Sequence, residues 1–277
     1  MKHDHMKKDR RPFTVTVITD YGPLSDMAFA EVTQSIYDRM KGLRVRLSEY
    51  SVPAFDTFQT GFMLAQMAIN SKLGDRHLFF VNTAPRHDSA KPRRDSAGEG
   101  LVYLRLSNGV RIVAVNSGYS LSLVKGAAEE VRIVSVANAG SQFRSRDFYP
   151  GILGEVARDD YVNITRRAAK IPDMPGDVVG FVDGYGNLKC TIDPEKLEKH
   201  LGKYVGVEIN GVKHFVKVGR SIFDVPDGYL CMAKGSSGWT LPNGKTRAFA
   251  EIVRRSGNAF RDFGKPKGGA AVKWGPE

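Results

Sequence analysis

VITDYG, residues 17–22, decides how the N-terminal half is read. Val17, Ile18 and Thr19 continue a β-branched run from Thr14, and such a run reads as a buried strand. Asp20, Tyr21 and Gly22 break it. A carboxylate at the end of a buried strand has two ordinary uses. It caps the next helix, or it stands at the carboxyl edge of an α/β sheet, where ligands gather.

The residues downstream make the sheet reading concrete. Phe29, Val32, Ile36 and Met40 fall on one helical stripe. Leu43–Leu47 reads as a second strand. Asp56 with Gln59 makes a capping-box pattern, and Phe58, Phe62, Ala65 and Ile69 follow at helical spacing. His77–Ala84 reads as a third strand, followed by a polar loop to about Gly100. Asn108-Gly109 signals a hairpin, VRIVSVAN (131–138) another strand, and Phe148–Ala157 a short helix. This alternation predicts an α/β fold class: an N-terminal α/β domain over 13–170 with a largely parallel sheet. IPDMPGD (171–177) reads as a linker. Short strands and turns follow, with Asn210-Gly211 at the tip of a hairpin, and they predict a smaller all-β domain over 176–262. Residues 1–12 read as a disordered basic arm and 263–277 as a basic tail.

The chain has 277 residues and a net charge of +11, part of it in these two ends. A basic surface attracts anions, nucleic acid included, without specificity. There is no helix-turn-helix, RNP-like or zinc-finger pattern, so nucleic acid as a partner has no motif behind it. Cys190 and Cys231 are the two cysteines and have no metal spacing, so neither a disulfide framework nor a metal site is expected. No apolar run approaches the ~20 residues of a membrane span. MKHDHMKKDRRP lacks the apolar centre of a signal peptide. The expectation is a cytoplasmic protein with no membrane partner.

Six stretches occur in an informative order: VITDYG (17–22), SVPAFDTFQTGFMLAQ (51–66), FFVNTAPRHDSAKPRR (79–94), VNSG (115–118), QFRSRDFYP (142–150) and FVDGYGNLKCTI (181–192). The series resembles the S-adenosyl-L-methionine (SAM) hydroxide adenosyltransferase family, which includes the fluorinase and chlorinase enzymes. The family pattern runs TDFG, VPPF, VDPGVG with a paired arginine, PDNG, FHGRD and D-x-FGN, and the likeness covers about residues 13–250. The resemblance implies an N-terminal α/β domain, a barrel-like C-terminal β domain and a homotrimer. It also implies SAM held between one subunit's N-terminal domain and a neighbour's C-terminal domain. SAM is then the substrate, with no further cofactor. Its sulfonium leaves readily, so the enzyme has to orient the ribose, strip the nucleophile of water and align an in-line attack on C5′.

The same resemblance assigns roles residue by residue. Asp20 takes the ribose hydroxyls, since a carboxylate accepts from two vicinal O–H groups; otherwise it is a helix cap. Phe55 packs on the ligand; otherwise it staples the helix starting at Asp56. Phe143 and Ser145 flank C5′, where hydroxide-using members carry glycine and the fluorinase serine; otherwise Ser145 is a loop serine. Asp183 and Asn187 reach the methionine end; otherwise they form a turn. Phe223, with Lys234, Gly235 and Ser236, resembles the adenine-holding region. The water-activating set is broken: its Asp position falls on Ala84, its His position on Arg144, and an arginine survives as Arg93 or Arg94. PDNG has become VNSG, with Asn116 and Ser117. His87 and Arg144 are the candidates to position water instead. The expected activity is cleavage of SAM by water to adenosine and methionine. The alternatives are halide-dependent 5′-halo-adenosine synthesis and a non-catalytic basic protein that binds a nucleoside or nucleic acid.

Overall fold

The structure, a computed structural model, describes residues 11–83, 100–136 and 141–276. Its first sheet takes β1 (Phe13–Thr19), β2 (Val45–Ser51), β3 (His77–Asn82), β4 (Leu101–Leu106), β5 (Arg111–Val115), β6 (Ala128–Val134) and β7 (Ile164–Ala168). Their spatial order is β2-β1-β3-β5-β4-β6-β7. β2, β1, β3 and β5 are parallel; β4 runs antiparallel to β5 and β6, and β6 to β7. The sheet is therefore mixed, which corrects the expectation of a largely parallel one. The physical reason is the Asn108-Gly109 turn, where Gly109 (φ 86) donates to Leu106 O at 2.9 Å. A turn this tight joins antiparallel neighbours only.

Side-chain parity divides the core into two layers. Phe13, Val15 and Val17 of β1, Leu78 and Phe80 of β3, and Val113 and Val115 of β5 face one cluster. Ile18, Phe79, Val81, Ile112 and Ala114 face the other. The first face is covered by α1 (Met27–Arg39), through the expected stripe Phe29, Val32, Ile36 and Met40. After the short helix α3 (Arg144–Asp147), α4 (Tyr149–Ala157) lies beside α1 on the same cluster. The second face is covered by α2 (Thr57–Ile69) through Phe62, Leu64, Ala65 and Ala68.

The second sheet takes β8 (Val179–Val182), β9 (Leu188–Cys190), β10 (Tyr204–Ile209), β11 (Val212–Val218), β12 (Leu230–Thr240), β13 (Thr246–Arg254) and β14 (Val272–Gly275), in the order β14-β10-β11-β12-β13-β9-β8. The end strands meet at a Val178–Ala271 bridge and at Val272 N–H on Asp177 O, 2.9 Å, so the sheet is nearly barrel-shaped. The β10–β11 hairpin turns at Asn210-Gly211 with φ of 51° and 81°. Residues beyond 262, expected as a tail, pack into this unit: Phe263 and Val272 are buried and β14 pairs with β10. The lysines suggest a solvated tail, but the apolar residues between them decide the outcome. Residues 171–177 have no regular helix or strand, as a linker should. They are nonetheless tied down by Lys125, whose ammonium donates to the carbonyls of Ile171 and Pro172 at 3.1 and 3.2 Å. Residues 1–10 of the expected basic arm lie outside the described residues. No helix among the described residues is long and apolar enough to cross a membrane.

α2 joins the sheets. Phe62 packs on Phe181, Trp239 and Phe249 of the second sheet. Gln59 Oε1 accepts from Val182 N at 3.2 Å, and Gln66 Oε1 from Gly238 N at 2.9 Å.

This packing makes two sites diagnostic of stability. A Cβ at Gly61 would sit 2.5 Å from Tyr119 O, a backbone atom. Overpacking costs roughly 1–3 kcal/mol, more than the ~0.5–1 kcal/mol gained by replacing a helical glycine. Gly61→Ala should therefore lower the urea midpoint. His77 is buried between the hydroxyls of Thr16 (2.8 Å) and Ser71 (2.7 Å), and burial pulls its pKa from 6.5 down to about 4. The fold thus favours the neutral ring. Its contribution is complete above the unfolded value and is lost as pH falls from about 6.5 toward 4, up to roughly 3 kcal/mol. Urea unfolding at stepped pH should show this slope, and His77→Gln should flatten it.

Candidate functional site

The end of β1 answers the question posed by Asp20. The cap of α1 is Asp26, whose carboxylate accepts from Ala28 N at 2.9 Å. Asp20 instead turns toward the start of α2, and its Oδ2 accepts from Phe55 N at 2.8 Å. Phe55 has φ 63°, a left-handed conformation that costs an L-residue roughly 1–2 kcal/mol. Its ring is 54% exposed, so it is not stapled into the core. Asp56 then caps α2: Oδ1 accepts from Gln59 N, and Oδ2 from Gln59 Nε2 and Gly268 N, each at 2.9 Å. Only the N-cap half of the capping box read from the sequence forms: the Gln59 side chain bonds the Asp56 carboxylate, while Asp56 N–H goes to Pro53 O at 3.1 Å.

Next to Asp20, Tyr21 points inward. Its ring stands edge-on to Phe29 (5.4 Å) and Phe143 (5.8 Å). Its hydroxyl accepts from Asn82 Nδ2 at 2.9 Å, and Ser145 beside it pulls the phenol pKa down, as a donor to that oxygen does. Burial pushes the phenol well above its ordinary pKa, with the Asp20 charge adding to the rise. Ser145 is buried on the first turn of α3. That turn is held by Phe143 N–H on Ser141 Oγ (2.8 Å), by Arg146 over the Phe143 ring (5.1 Å) and by Ser35 on Arg146 O (2.7 Å). Arg144 carries its guanidinium 6.0 Å from the centre of the Tyr149 ring, whose hydroxyl is felt by Tyr21. The structure thus brings Asp20, Phe55, Phe143, Arg144 and Ser145 to one edge of the first sheet. Asn116 and Ser117, from the VNSG stretch, are buried there in structural bonds, to Lys170 O (3.0 Å) and to Thr83 O. Ala84, His87, Arg93 and Arg94 lie outside the described residues.

The second half of the expected site is a turn. Asp183 Oδ1 accepts from Tyr185 N (2.9 Å) and Asn187 N (3.0 Å), and Oδ2 from Asn187 Nδ2 (3.0 Å). The Lys189 ammonium lies 3.7 Å from Asp183 Oδ2 and 3.0 Å from Glu251. Asp183 and Asn187 therefore serve each other, and the carboxylate already stands beside a cation. This turn reaches the first edge through α2, since Gln59 holds Val182 N. Phe223 is 77% exposed, with Arg255 5.6 Å over its ring. Lys234 and Ser236 are exposed at an irregularity of β12. Reading the sequence missed Tyr21 and Asn82. The signal was there in VITDYG, where the resembled pattern has TDFG: one extra hydroxyl at a position that packs inward.

The Asp20–Phe55 bond gives a direct test. Asp20→Ala removes the acceptor of an exposed N–H and should cost about 0.5–1.5 kcal/mol in urea unfolding. Phe55→Gly relieves the left-handed strain at an exposed site and should be neutral within about 1 kcal/mol.

No family model and no curated protein matches this chain. Solved structures do. A conserved, uncharacterized protein from Thermotoga maritima superposes with a TM-score of 0.69 at 17% identity, covering 94% of this chain and 99% of its own. A conserved hypothetical protein from Thermus thermophilus gives 0.65 at 18%, covering 95% and 99%. At these identities the likeness is one of fold: this chain shares the architecture of both proteins over almost its whole length.

Proposed function

We propose that the chain cleaves SAM at the C5′–S bond with water, giving adenosine, methionine and a proton. The observation that supports this most is the convergence of Asp20, Tyr21, Phe143 and Ser145 at the carboxyl edge of β1 and β3. Asp20 offers a carboxylate for the ribose diol while its Oδ2 is oriented by Phe55 N–H. The Phe143 ring and Ser145 line the place of C5′. Attack by water on C5′ breaks the C5′–S bond, the electron pair leaves on sulfur, and the oxygen loses its proton to solvent. Arg144 works by charge, because a guanidinium does not act as a base near neutral pH. Asp183, Asn187, Phe223, Lys234 and Ser236 are assigned to the methionine and adenine ends. Within this reading a homotrimer shares its sites, and the exposed rings of Phe55, Tyr185 and Phe223 support the need for a neighbour's cover.

The experiment is incubation with SAM, with and without chloride, followed by separation of the nucleosides. Adenosine in both samples is expected. A chlorinated nucleoside confined to the chloride sample would replace water by halide, and SAM left intact and unbound would end both readings. Asp20→Asn keeps an oxygen for Phe55 N–H but loses the charge, so it should fold normally and bind SAM about tenfold or more weakly. Unchanged affinity by calorimetry would confine Asp20 to its backbone bond.

A further inference from the structure

Strand parity sets the outer face of the second sheet. Val205, Val207 and Ile209 of β10 point into the core, as do Val216 and Val218 of β11 and Val272 of β14. The residues between them face outward and line up in three rows across the strands. The first row pairs Tyr204 with Lys217. The second sets Phe215 beside Gly206 and Gly275, and the third puts Glu208 between Lys213 and Lys273. The solvent face of an antiparallel sheet is ordinarily polar. Here Tyr204 is 52% and Phe215 61% exposed. They are diagonal neighbours, so roughly 7–8 Å separates their positions on the sheet. Phe215 is the one side chain of its row, because glycines stand across from it on both neighbouring strands. Among the described residues neither ring stacks on another ring or a cation, and the Tyr204 hydroxyl makes no hydrogen bond.

The charge around the rings has one sign. Lys217 donates to a backbone carbonyl, Asp224 O, at 2.9 Å, and among the described residues no carboxylate ion-pairs with it. Glu208 is the carboxylate of the three rows, and it lies 3.0 Å from the Lys273 ammonium with Lys213 opposite it in register. We infer that this face binds single-stranded nucleic acid, with bases stacked on Phe215 and Tyr204 and the phosphates running along the lysines. Unpaired bases carry open π faces that exposed rings can take, whatever the sequence. A duplex keeps those faces stacked inside itself. A protein partner would have to bury lysines, which interface cores avoid. The net charge of +11 supplies the longer-range attraction for a polyanion. A surface made from alternate residues of three strands also leaves no contiguous motif in the sequence. The inference uses no residue assigned to SAM and stands apart from that reading.

Labelled oligo(dT) and oligo(U), followed by fluorescence anisotropy, test it. Both should bind the wild type, and a preference for one would fix the sugar and uphold the inference. Phe215→Leu and Tyr204→Leu keep an apolar side chain and remove the π face. Each should weaken binding roughly fivefold or more, with the urea midpoint unchanged because both positions are exposed. Tyr204→Phe keeps the ring and should keep the affinity. Lys217→Gln should lower the slope of log K against log salt by about 0.7, the share of one phosphate contact on a single strand. Lys41→Gln, beyond α1 and paired with Asp38, should leave that slope alone. Unchanged affinity in both leucine variants, or a duplex bound as tightly as the single strands, overturns the inference and leaves a basic surface without specificity. Binding of phosphatidylserine vesicles but of neither oligonucleotide overturns it too, and gives the face to a membrane surface. No binding of either oligonucleotide by the wild type at low salt overturns it outright.

Discussion

Everything else in the molecule depends on α2 having no solvated face. From Thr57 to Ile69 no residue is exposed. The helix lies between two sheets and offers Phe62, Leu64, Ala65 and Ala68 to a layer that also contains Trp239 and Phe249. A helix buried all round cannot hide polar groups unless each has a partner. Gln59 and Gln66 meet this demand by binding backbone N–H groups of the second sheet, and Thr60 by binding Thr83 and Asp56 O. The same bonds fix where the helix starts. Its first turn is thereby brought to Asp20, and the edge of β1 becomes a site and not a loop.

This dependence explains which parts of the fold were legible in the sequence. Strands and helices with a single clear period were: the stripe of α1, the Asp56 cap and both Asn-Gly hairpins stand where spacing put them. Strand direction was not. β4 is buried on both faces, like β1, and a doubly buried strand carries no mark of whether its neighbour runs with it or against it. The C-terminal segment was misread for a different reason. Net charge was taken as the message of 263–277, whereas Phe263, Val272 and Trp274 determine the packing and Lys273 simply pairs with Glu208 at the surface.

The candidate site divides in the same way. Asp20 could be found because a carboxylate at a strand end is an anomaly. Its actual partner, 35 residues away at Phe55, could not, because a backbone N–H has no letter in the sequence. Asp183 and Asn187 show the converse. Their types suit both a ligand and a turn, and the fold uses them as a turn, with Lys189 and Glu251 completing the cluster. Tyr21 was hidden in plain view: an aromatic residue after a strand reads as core, and only its contacts with Asn82 and Ser145 give the hydroxyl a purpose.

The near-closure of the second sheet has a topological consequence. Asp177 and Val272 touch through their backbones, so the start of this unit lies beside the start of its last strand. A unit whose ends adjoin can be circularly permuted or transplanted without stretching its backbone. What forbids simple transplantation is the patch of Phe181, Trp239 and Phe249, which would be left bare without Phe62. The second sheet is thus modular in its connectivity and obligate in its surface, and its exchange between proteins of this architecture would require α2 to travel with it.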